Sequence, residues 1–114
     1  MALADKKCVA CTAETPPLTG TEVNELLAQL DGWQLNDAGH LSKAFKLKNF
    51  VAAVHLVNAI TPVAEEEGHH PDLHVGWGTV GVELWTHAIN GLSEADFIMA
   101  AKIDRVAAGD GSAT

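Results

Sequence analysis

Three of the chain's six histidines lie within one stretch of ten residues, Glu65–His74. Its sequence is Glu-Glu-Glu-Gly-His-His-Pro-Asp-Leu-His. Imidazole changes protonation near neutral pH, so it is the side chain best suited to giving and accepting protons in a reaction. His69 and His70 follow a predicted helix and precede a predicted strand, and loops between such elements carry many catalytic groups. This stretch is therefore the first candidate for a site that moves protons.

A predicted β-hairpin brings a fourth histidine to the same place. Residues Asp72–Trp77 and Val80–His87 form two strands in this prediction, with Gly78-Thr79 suited to a two-residue type II′ turn between them. The start of the first strand in a hairpin lies beside the end of the second. We therefore expect His87 to lie near the paired histidines, so that three imidazoles share one end of a sheet.

These histidines can be used with carboxylates or with a metal ion. The carboxylates available to orient an imidazole are Glu65, Asp72 and Asp96. A zinc centre built from His70, His74 and His87 is the alternative. The chain lacks the helical H-E-x-x-H spacing of zinc proteases, which argues against that centre. A third interpretation is that some of these histidines only face water.

The two cysteines, Cys8 and Cys11, form a single C-x-x-C near the N-terminus. This is half of a four-cysteine zinc site and provides no disulfide framework. We interpret the pair as reduced thiols in a flexible arm, residues 1–17. Zinc binding with help from a histidine or a second subunit is the alternative.

The remaining patterns predict three helices and four strands. Helices are expected after the capping box of Thr19 and Glu22 as far as Leu30, from the N-cap Asn49 to about Glu67, and from the cap Ser93 to about Val106. Pro62 predicts a kink in the second helix. Short strands are expected near Trp33–Leu35 and over Leu41–Lys46, before the hairpin already described. The order predicts an α+β fold, a four-stranded antiparallel sheet with three helices packed on one face.

Composition limits the classes of partner. The chain has 114 residues, which suits one domain, here 18–108, followed by a disordered tail, 109–114. Its formal net charge of −8 argues against nucleic-acid binding. No apolar run of membrane-spanning length and no secretory signal appears, so a cytoplasmic protein is expected. Four strands leave open edges, which favours assembly into a homo-oligomer.

The spacing of the histidines resembles that of a known family. The pattern begins with Glu65, and after three residues comes His69-His70-Pro71. Trp77 follows after five residues, His87 after a further nine and Asp96 after a further eight. This resembles the signature of the pterin-4a-carbinolamine dehydratases, and the resemblance runs from about Leu18 to Val106. It implies a dimer or tetramer that removes water from a 4a-hydroxytetrahydropterin to give a quinonoid dihydropterin. It also implies no cofactor, because the pterin is the substrate, and no metal.

The resemblance implies roles for individual residues. His69 and His70 would act as general acid and general base, in an order left open, and His87 would hold the substrate or stabilise developing charge. The substrate-binding positions implied are Glu65, Gly68, Pro71, Trp33, Trp85, Thr86, Ala88 and Asp96. Asp96 also fits a plain capping box with Ser93. Trp33 and Trp77 are candidates for the wall of the pocket, with a core aromatic as the alternative for each, and for Trp77 the core is the expected place. The alternative function is a non-catalytic binding or assembly protein on the same fold.

Overall fold

A four-stranded antiparallel sheet and three α-helices make up the computed structural model, which describes residues 3–6, 8 and 16–109. The helices are α1 (Gly20–Leu27), α2 (Phe50–Glu67) and α3 (Glu94–Gly109). The strands are β1 (Gln34–Leu35), β2 (Leu41–Lys46), β3 (Asp72–Gly76) and β4 (Thr79–Leu84). Short 3₁₀ helices cover Leu3–Asp5 and His87–Ile89. The predicted α+β class and the order of its elements are confirmed.

The strands lie in the order β1-β2-β4-β3, and every neighbouring pair is antiparallel. Strand β4 is central, with Leu84 opposite Leu41 on one side and Glu83 opposite Asp72 on the other. This register sets the end of β4 beside the start of β3. The chain just before β3 and the chain just after β4 therefore meet at one end of the sheet.

One face of the sheet forms the core with the helices. Val80, Val82 and Leu84 alternate along β4, and their side chains are at most 2% exposed. Leu41 of β2 joins them. The helices contribute Ala53, Leu56, Ile60, Phe97, Met99 and Ile103 to the same cluster. Burial of these apolar side chains is the main force that holds α2 and α3 on the sheet.

The helix ends follow local chemistry, with two differences from the prediction. The capping box of α1 is present, but the helix ends at Leu27, because Leu30 bonds back only three residues in a turn before the left-handed Gly32. Helix α2 starts at its N-cap Asn49 as expected and continues across Pro62. The kink predicted at Pro62 stays a prediction. Helix α3 runs three residues beyond the predicted end at Val106.

The β3–β4 turn is shifted by one residue from the predicted position. Gly76 pairs with Thr79, so the turn residues are Trp77 and Gly78. A Cβ atom on Gly78 would lie 3.0 Å from the carbonyl oxygen of Leu47, so glycine allows this close approach of two backbones. Trp77 is 72% exposed, and its prediction as a core aromatic is wrong because it lies at the tip of the turn.

Strand β4 also ends earlier than expected. The prediction continued it to His87, but regular pairing stops at Leu84. Thr86 instead forms an isolated bridge with Gly91, and His87 begins a 3₁₀ helix that ends at Asn90 in the left-handed conformation. The expected position of His87 beside the β3 end of the sheet is retained, because only two residues separate it from β4.

The described part of the N-terminal segment packs on α3. Leu3 and Ala4 are buried, and the Arg105 guanidinium donates to Asp5 at 2.7 Å. The Lys102 ammonium donates to the carbonyl of Ala4 at 2.9 Å. The sequence predicted a flexible arm here, whereas these residues lie against the domain. Cys11 and the tail 110–114 lie outside the described residues.

Candidate active site

One cavity of about 580 Å³ lies where α2 ends, β3 begins and β4 has just ended. Its lining consists of Cys8, Glu67, Gly68, His69, His70, Pro71, Asp72, Trp85, Thr86 and His87. The structure therefore brings together the three histidines that the sequence singled out. Four of the predicted substrate-binding positions, Gly68, Pro71, Trp85 and Thr86, lie in the same wall.

Gly68 turns the chain from α2 into the histidine loop. It is the C-cap of the helix in the left-handed conformation, with φ of 64°. Its backbone N–H and that of His69 both donate to the carbonyl of Ala64. Left-handed φ values strain residues that have a Cβ atom, so glycine suits this position. This C-cap fixes the position of the backbone that carries His69.

His69 is held by a buried carboxylate. Its Nε2 lies 2.6 Å from Oδ1 of Asp96, a residue with no exposed surface. The other oxygen, Oδ2, accepts from the Thr86 hydroxyl at 2.8 Å and from the Ser93 backbone N–H at 3.0 Å. Asp96 therefore accepts from the backbone at the start of α3 and also holds His69, but only half of the predicted capping box forms, because the Ser93 hydroxyl bonds to Thr86. Its role in substrate binding stays a prediction. Asp96 does not line the cavity and contacts His69 from the buried side of the imidazole ring.

His70 makes a similar pair in water. Its Nε2 lies 2.6 Å from Oε2 of Glu65, in the last turn of α2. The side chains are 59% and 70% exposed, whereas those of His69 and Asp96 are 15% and 0% exposed. Solvent screens the exposed pair and leaves the buried one strong. The site therefore holds two imidazole–carboxylate pairs in opposite environments.

His87 lies against an indole ring. The centroids of His87 and Trp85 are 3.8 Å apart, with their planes at 31°. Trp85 also stacks on His40 from the loop before β2, at 4.2 Å and 7°. His40 in turn contacts Glu83, whose pKa is held below its ordinary value by hydrogen bonds from Asn36 and His40. Three aromatic rings thus continue from the cavity across the sheet.

The N-terminal segment supplies another part of the wall. The backbone N–H of Cys8 donates to Oε1 of Glu67 at 2.8 Å, and its thiol contacts the carbonyl of Ala95. Lys102 lies 3.6 Å from the other carboxylate oxygen of Glu67. Burial first, and then the charge of Glu67, raise the pKa of the Cys8 thiol to about 12. The thiol is therefore protonated at neutral pH and is a poor nucleophile.

Other predicted positions lie elsewhere. Trp33 is buried in the core, and its indole donates to Asp104 at 2.9 Å. Ala88 is exposed in the 3₁₀ helix after β4. Neither residue contributes to the wall of the cavity. Glu65 also lies outside the wall and reaches the site through His70.

The zinc alternatives find no support in the described part of the chain. Among residues 3–6, 8 and 16–109, no group of three or more histidine, cysteine or acidic side chains is placed to hold a metal ion. This includes His70, His74 and His87. Cys11 lies outside the described residues, so the C-x-x-C interpretation stays a prediction.

The sequence of this domain matches a protein family that fits the histidine cluster. Residues 16–106 match the family described as pterin 4 alpha carbinolamine dehydratase. The chain belongs to this family. The match covers all four strands, α1 and α2, and most of α3, so every site residue except Cys8 lies in the part that defines a pterin 4 alpha carbinolamine dehydratase.

Individual proteins that are similar to this chain carry names of the same family. A Rickettsia canadensis protein that carries the family name is 52% identical over 90% of this chain and 94% of its own length. Pterin-4-alpha-carbinolamine dehydratase 2, mitochondrial, of Arabidopsis thaliana is 44% identical over 91% of this chain and 58% of the plant protein. The crystal structure of a transcriptional coactivator/pterin dehydratase from Brucella melitensis superposes with a TM-score of 0.76. It is 38% identical and covers 80% of this chain and 98% of the Brucella chain.

The sequence analysis of this member of the pterin 4 alpha carbinolamine dehydratase family missed three residues in or near the site. Glu67 sits in a run of three glutamates that looks solvated, yet its side chain is 4% exposed. Cys8 precedes the matched region, and His40 follows a turn without any motif. No local pattern marks any of the three, because their burial and their contacts depend on residues distant in the chain.

Proposed function

We propose that this protein removes water from a 4a-hydroxytetrahydropterin to give the quinonoid dihydropterin, by histidine acid–base catalysis. The observation that carries the proposal is the grouping of His69, His70 and His87 around one cavity, with His69 bonded to the buried Asp96. Membership of the dehydratase family supports the same reaction. The pterin is the substrate, and the proposed chemistry uses no cofactor.

The reaction requires two proton movements. The hydroxyl group at C4a takes up one proton and leaves as water when the C4a–O bond breaks, and a ring nitrogen of the pterin loses one proton. A general acid and a general base placed on one substrate lower the barriers to both transfers. No redox change occurs, so imidazoles and carboxylates supply all the required chemistry.

His69 and His70 are the proposed acid and base, in an order that stays open. An ionised carboxylate only accepts hydrogen bonds, so Nε2 of each ring carries the proton shared with Asp96 or Glu65. Nδ1 is then the atom that exchanges a proton with the substrate. Because each carboxylate fixes the tautomer of its ring, the two histidines start the reaction with a defined nitrogen available.

The rest of the wall is suited to a flat, polar bicyclic ring. We propose that Trp85 contacts the ring system, since stacked aromatic contacts favour a planar ligand, and that His87 acts with His69 and His70 by holding the substrate or stabilising the charge that develops in the reaction. Gly68, Pro71 and Thr86 line the cavity and are proposed to shape the pocket around it. Glu65 is proposed to contact the pterin from its exposed position beside His70. Trp33 and Ala88 lie away from the cavity, so their effect on substrate is proposed to be indirect.

The test is a stopped assay that follows decay of the 4a-carbinolamine generated by a pterin-dependent hydroxylase at slightly alkaline pH. We expect the wild type to accelerate the decay, and His69→Gln and His70→Ala to lose most of the acceleration. His55→Gln is the matched control, because His55 is an exposed histidine on α2 away from the cavity. It is expected to behave like the wild type.

A binding or assembly role on the same fold is the second candidate. The Brucella melitensis structure carries the words transcriptional coactivator beside pterin dehydratase in its name. The exposed Trp77 at the tip of the β3–β4 turn is the side chain here that a partner would use. A folded wild type that leaves carbinolamine decay at its spontaneous rate would make this candidate the better one.

Location and assembly stay predictions. No helix in the described ranges is long and apolar enough to cross a membrane. The cytoplasmic location and the homo-oligomer, dimer or tetramer, follow from the sequence and from the family. Strands β1 and β3 are the sheet edges on which such assembly could be built.

A further inference from the structure

A stack of three rings lies on the sheet face away from the helices. Leu84 and Thr86 are buried toward the core, so Trp85 between them projects to the other face. One side of its indole contacts His40 and the other contacts His87. Trp85 and His87 line the cavity, whereas His40 does not. The stack therefore connects a residue outside the site to one inside it.

The His87 ring lies at the exposed end of this stack. His87 is exposed and begins the short 3₁₀ helix that follows β4. Across the described ranges, no side chain or backbone group forms a hydrogen bond with its ring, unlike the rings of His69 and His70. The ring contact that the structure shows for His87 is with the Trp85 indole, at 3.8 Å between centroids.

Trp85 is itself held by packing alone. Its indole Nε1 is buried and has no hydrogen-bond partner among the residues described. Its orientation is therefore set by packing, against the core cluster and against the surfaces on its two faces. One of these surfaces is the His87 ring, which is exposed. The other is the His40 ring, nearly parallel to the indole at 7°.

His40 is the fixed end of the stack. Its Nδ1 lies 2.6 Å from Oε2 of Glu83, and the two side chains are only 17% and 24% exposed. The amide of Asn36 donates to the same oxygen at 2.8 Å. The side-chain oxygen of Asn36 also accepts from the backbone N–H groups of Ala38 and His40, at 3.0 Å each. One asparagine thus ties the β1–β2 turn to the carboxylate that holds the His40 ring.

We propose that His40 is a positioning residue for the dehydration, acting on His87 through Trp85. The inference rests on the proposed function, because His87 is placed there in the catalytic set. His40 lies outside the cavity wall and acts through the orientation of Trp85. Small displacements of a catalytic group reduce rates strongly, so a residue that fixes the angle of His87 affects turnover more than substrate binding.

Two substitutions of His40 separate ring stacking from hydrogen bonding. His40→Gln keeps an amide able to bond to Glu83 but removes the ring that supports Trp85. His40→Phe keeps a ring of similar size and loses the bond to Glu83. We expect His40→Gln to lower kcat about 10-fold with a much smaller change in KM, and His40→Phe to recover most of the loss. His55→Gln serves again as the matched control.

A spectroscopic measurement tests the same relationship without substrate. The ring current of the Trp85 indole displaces the NMR signals of the His87 ring protons, which are assigned by comparison with His87→Gln. We expect these signals to move toward values for a free histidine in His40→Gln, to move less in His40→Phe and to stay in place in His55→Gln. Thermal unfolding of each variant confirms that the protein is folded.

The outcomes separate this proposal from the proposed function. An active wild type with unchanged kcat in His40→Gln, or with unmoved His87 signals, overturns the positioning role and leaves the dehydratase intact. An inactive wild type overturns the dehydratase, and the His87 signals then decide alone whether His40 orients His87. If His40→Gln does not fold, the His40→Phe variant decides, since kcat and His87 signals close to those of the wild type are required.

Discussion

His69 and Asp96 are joined through a 2.6 Å contact between Nε2 and Oδ1, although 27 positions separate them in the chain. The carboxylate has no exposed surface, and its second oxygen accepts from Thr86 and Ser93. One buried group therefore links the histidine loop, the end of β4 and the start of α3. Removing its charge should affect both catalysis and folding.

Asp96→Asn should lower kcat strongly. An amide placed at Asp96 tends to donate to Nε2, which forces the wrong tautomer on His69. A loss of about 100-fold or more in kcat is expected from this change. The free energy of unfolding should also fall by about 1–3 kcal/mol, since buried groups lose good partners. Stopped carbinolamine assays and urea unfolding measure the two effects.

Asp104→Asn is the control for that change. Asp104 is also an aspartate of α3, and it bonds to Trp33 and Lys43 on the side away from the cavity. Its replacement should reduce stability but leave kcat near the wild-type value. Equal losses of kcat in the two variants would show that destabilisation, and not the His69 contact, explains the effect of Asp96→Asn.

Glu65→Gln should have a smaller effect. The His70–Glu65 pair is more than half exposed, and ion pairs in water contribute little, about 0–1 kcal/mol. We expect stability to be unchanged within about 0.5 kcal/mol and kcat to fall by less than about 10-fold. Glu25→Gln on the exposed side of α1 is the comparison. A kcat loss as large as that of Asp96→Asn would contradict the difference in environment.

Cys8 should resist alkylation in the folded protein. Burial and the charge of Glu67 raise the pKa of its thiol to about 12, from an ordinary value of 9.0. The reactive thiolate is then scarce at pH 8, and iodoacetamide should react at least ~100-fold more slowly than in urea. The measurement uses a Cys11→Ser background, so that Cys8 is the single thiol. Similar rates in both conditions would mean that the N-terminal segment does not pack beside Glu67.

Glu83 should contribute to the loss of stability in acid. Hydrogen bonds from Asn36 and His40 lower its pKa in the folded protein below the ordinary value of 4.5. A lowered folded pKa gives stability that is present above the unfolded pKa and is lost as pH falls through the folded value. The free energy of unfolding, measured with urea between pH 6 and pH 3, should therefore fall less steeply with decreasing pH for Glu83→Gln than for the wild type.

The comparison for the pH series is Glu25→Gln, because Glu25 is an exposed glutamate of α1. Its pH profile should follow that of the wild type. If Glu83→Gln and Glu25→Gln gave the same slope, the hydrogen bonds to Glu83 would not be the source of acid lability.

The sequence by itself determined the elements and the position of the three histidines. Periodic apolar residues, the Asn49 cap and the Gly68 stop are local signals, and they located α2 and the loop after it. The hairpin pattern then brought His87 to that loop, because an antiparallel pair must align opposite ends. The turn at Trp77 was misplaced by one residue, since the backbone contact of Gly78 with Leu47 has no local signature.

Only the tertiary structure decided what surrounds those histidines. The bond from Asp96 to His69, the stack of His40 on Trp85 and the packing of Cys8 beside Glu67 join segments far apart in the chain. Such contacts depend on how helices are set against the sheet, and local patterns do not encode that arrangement. The amino-acid sequence therefore indicates which side chains can move protons. The packing of helices on the sheet determines which neighbours hold those side chains in position.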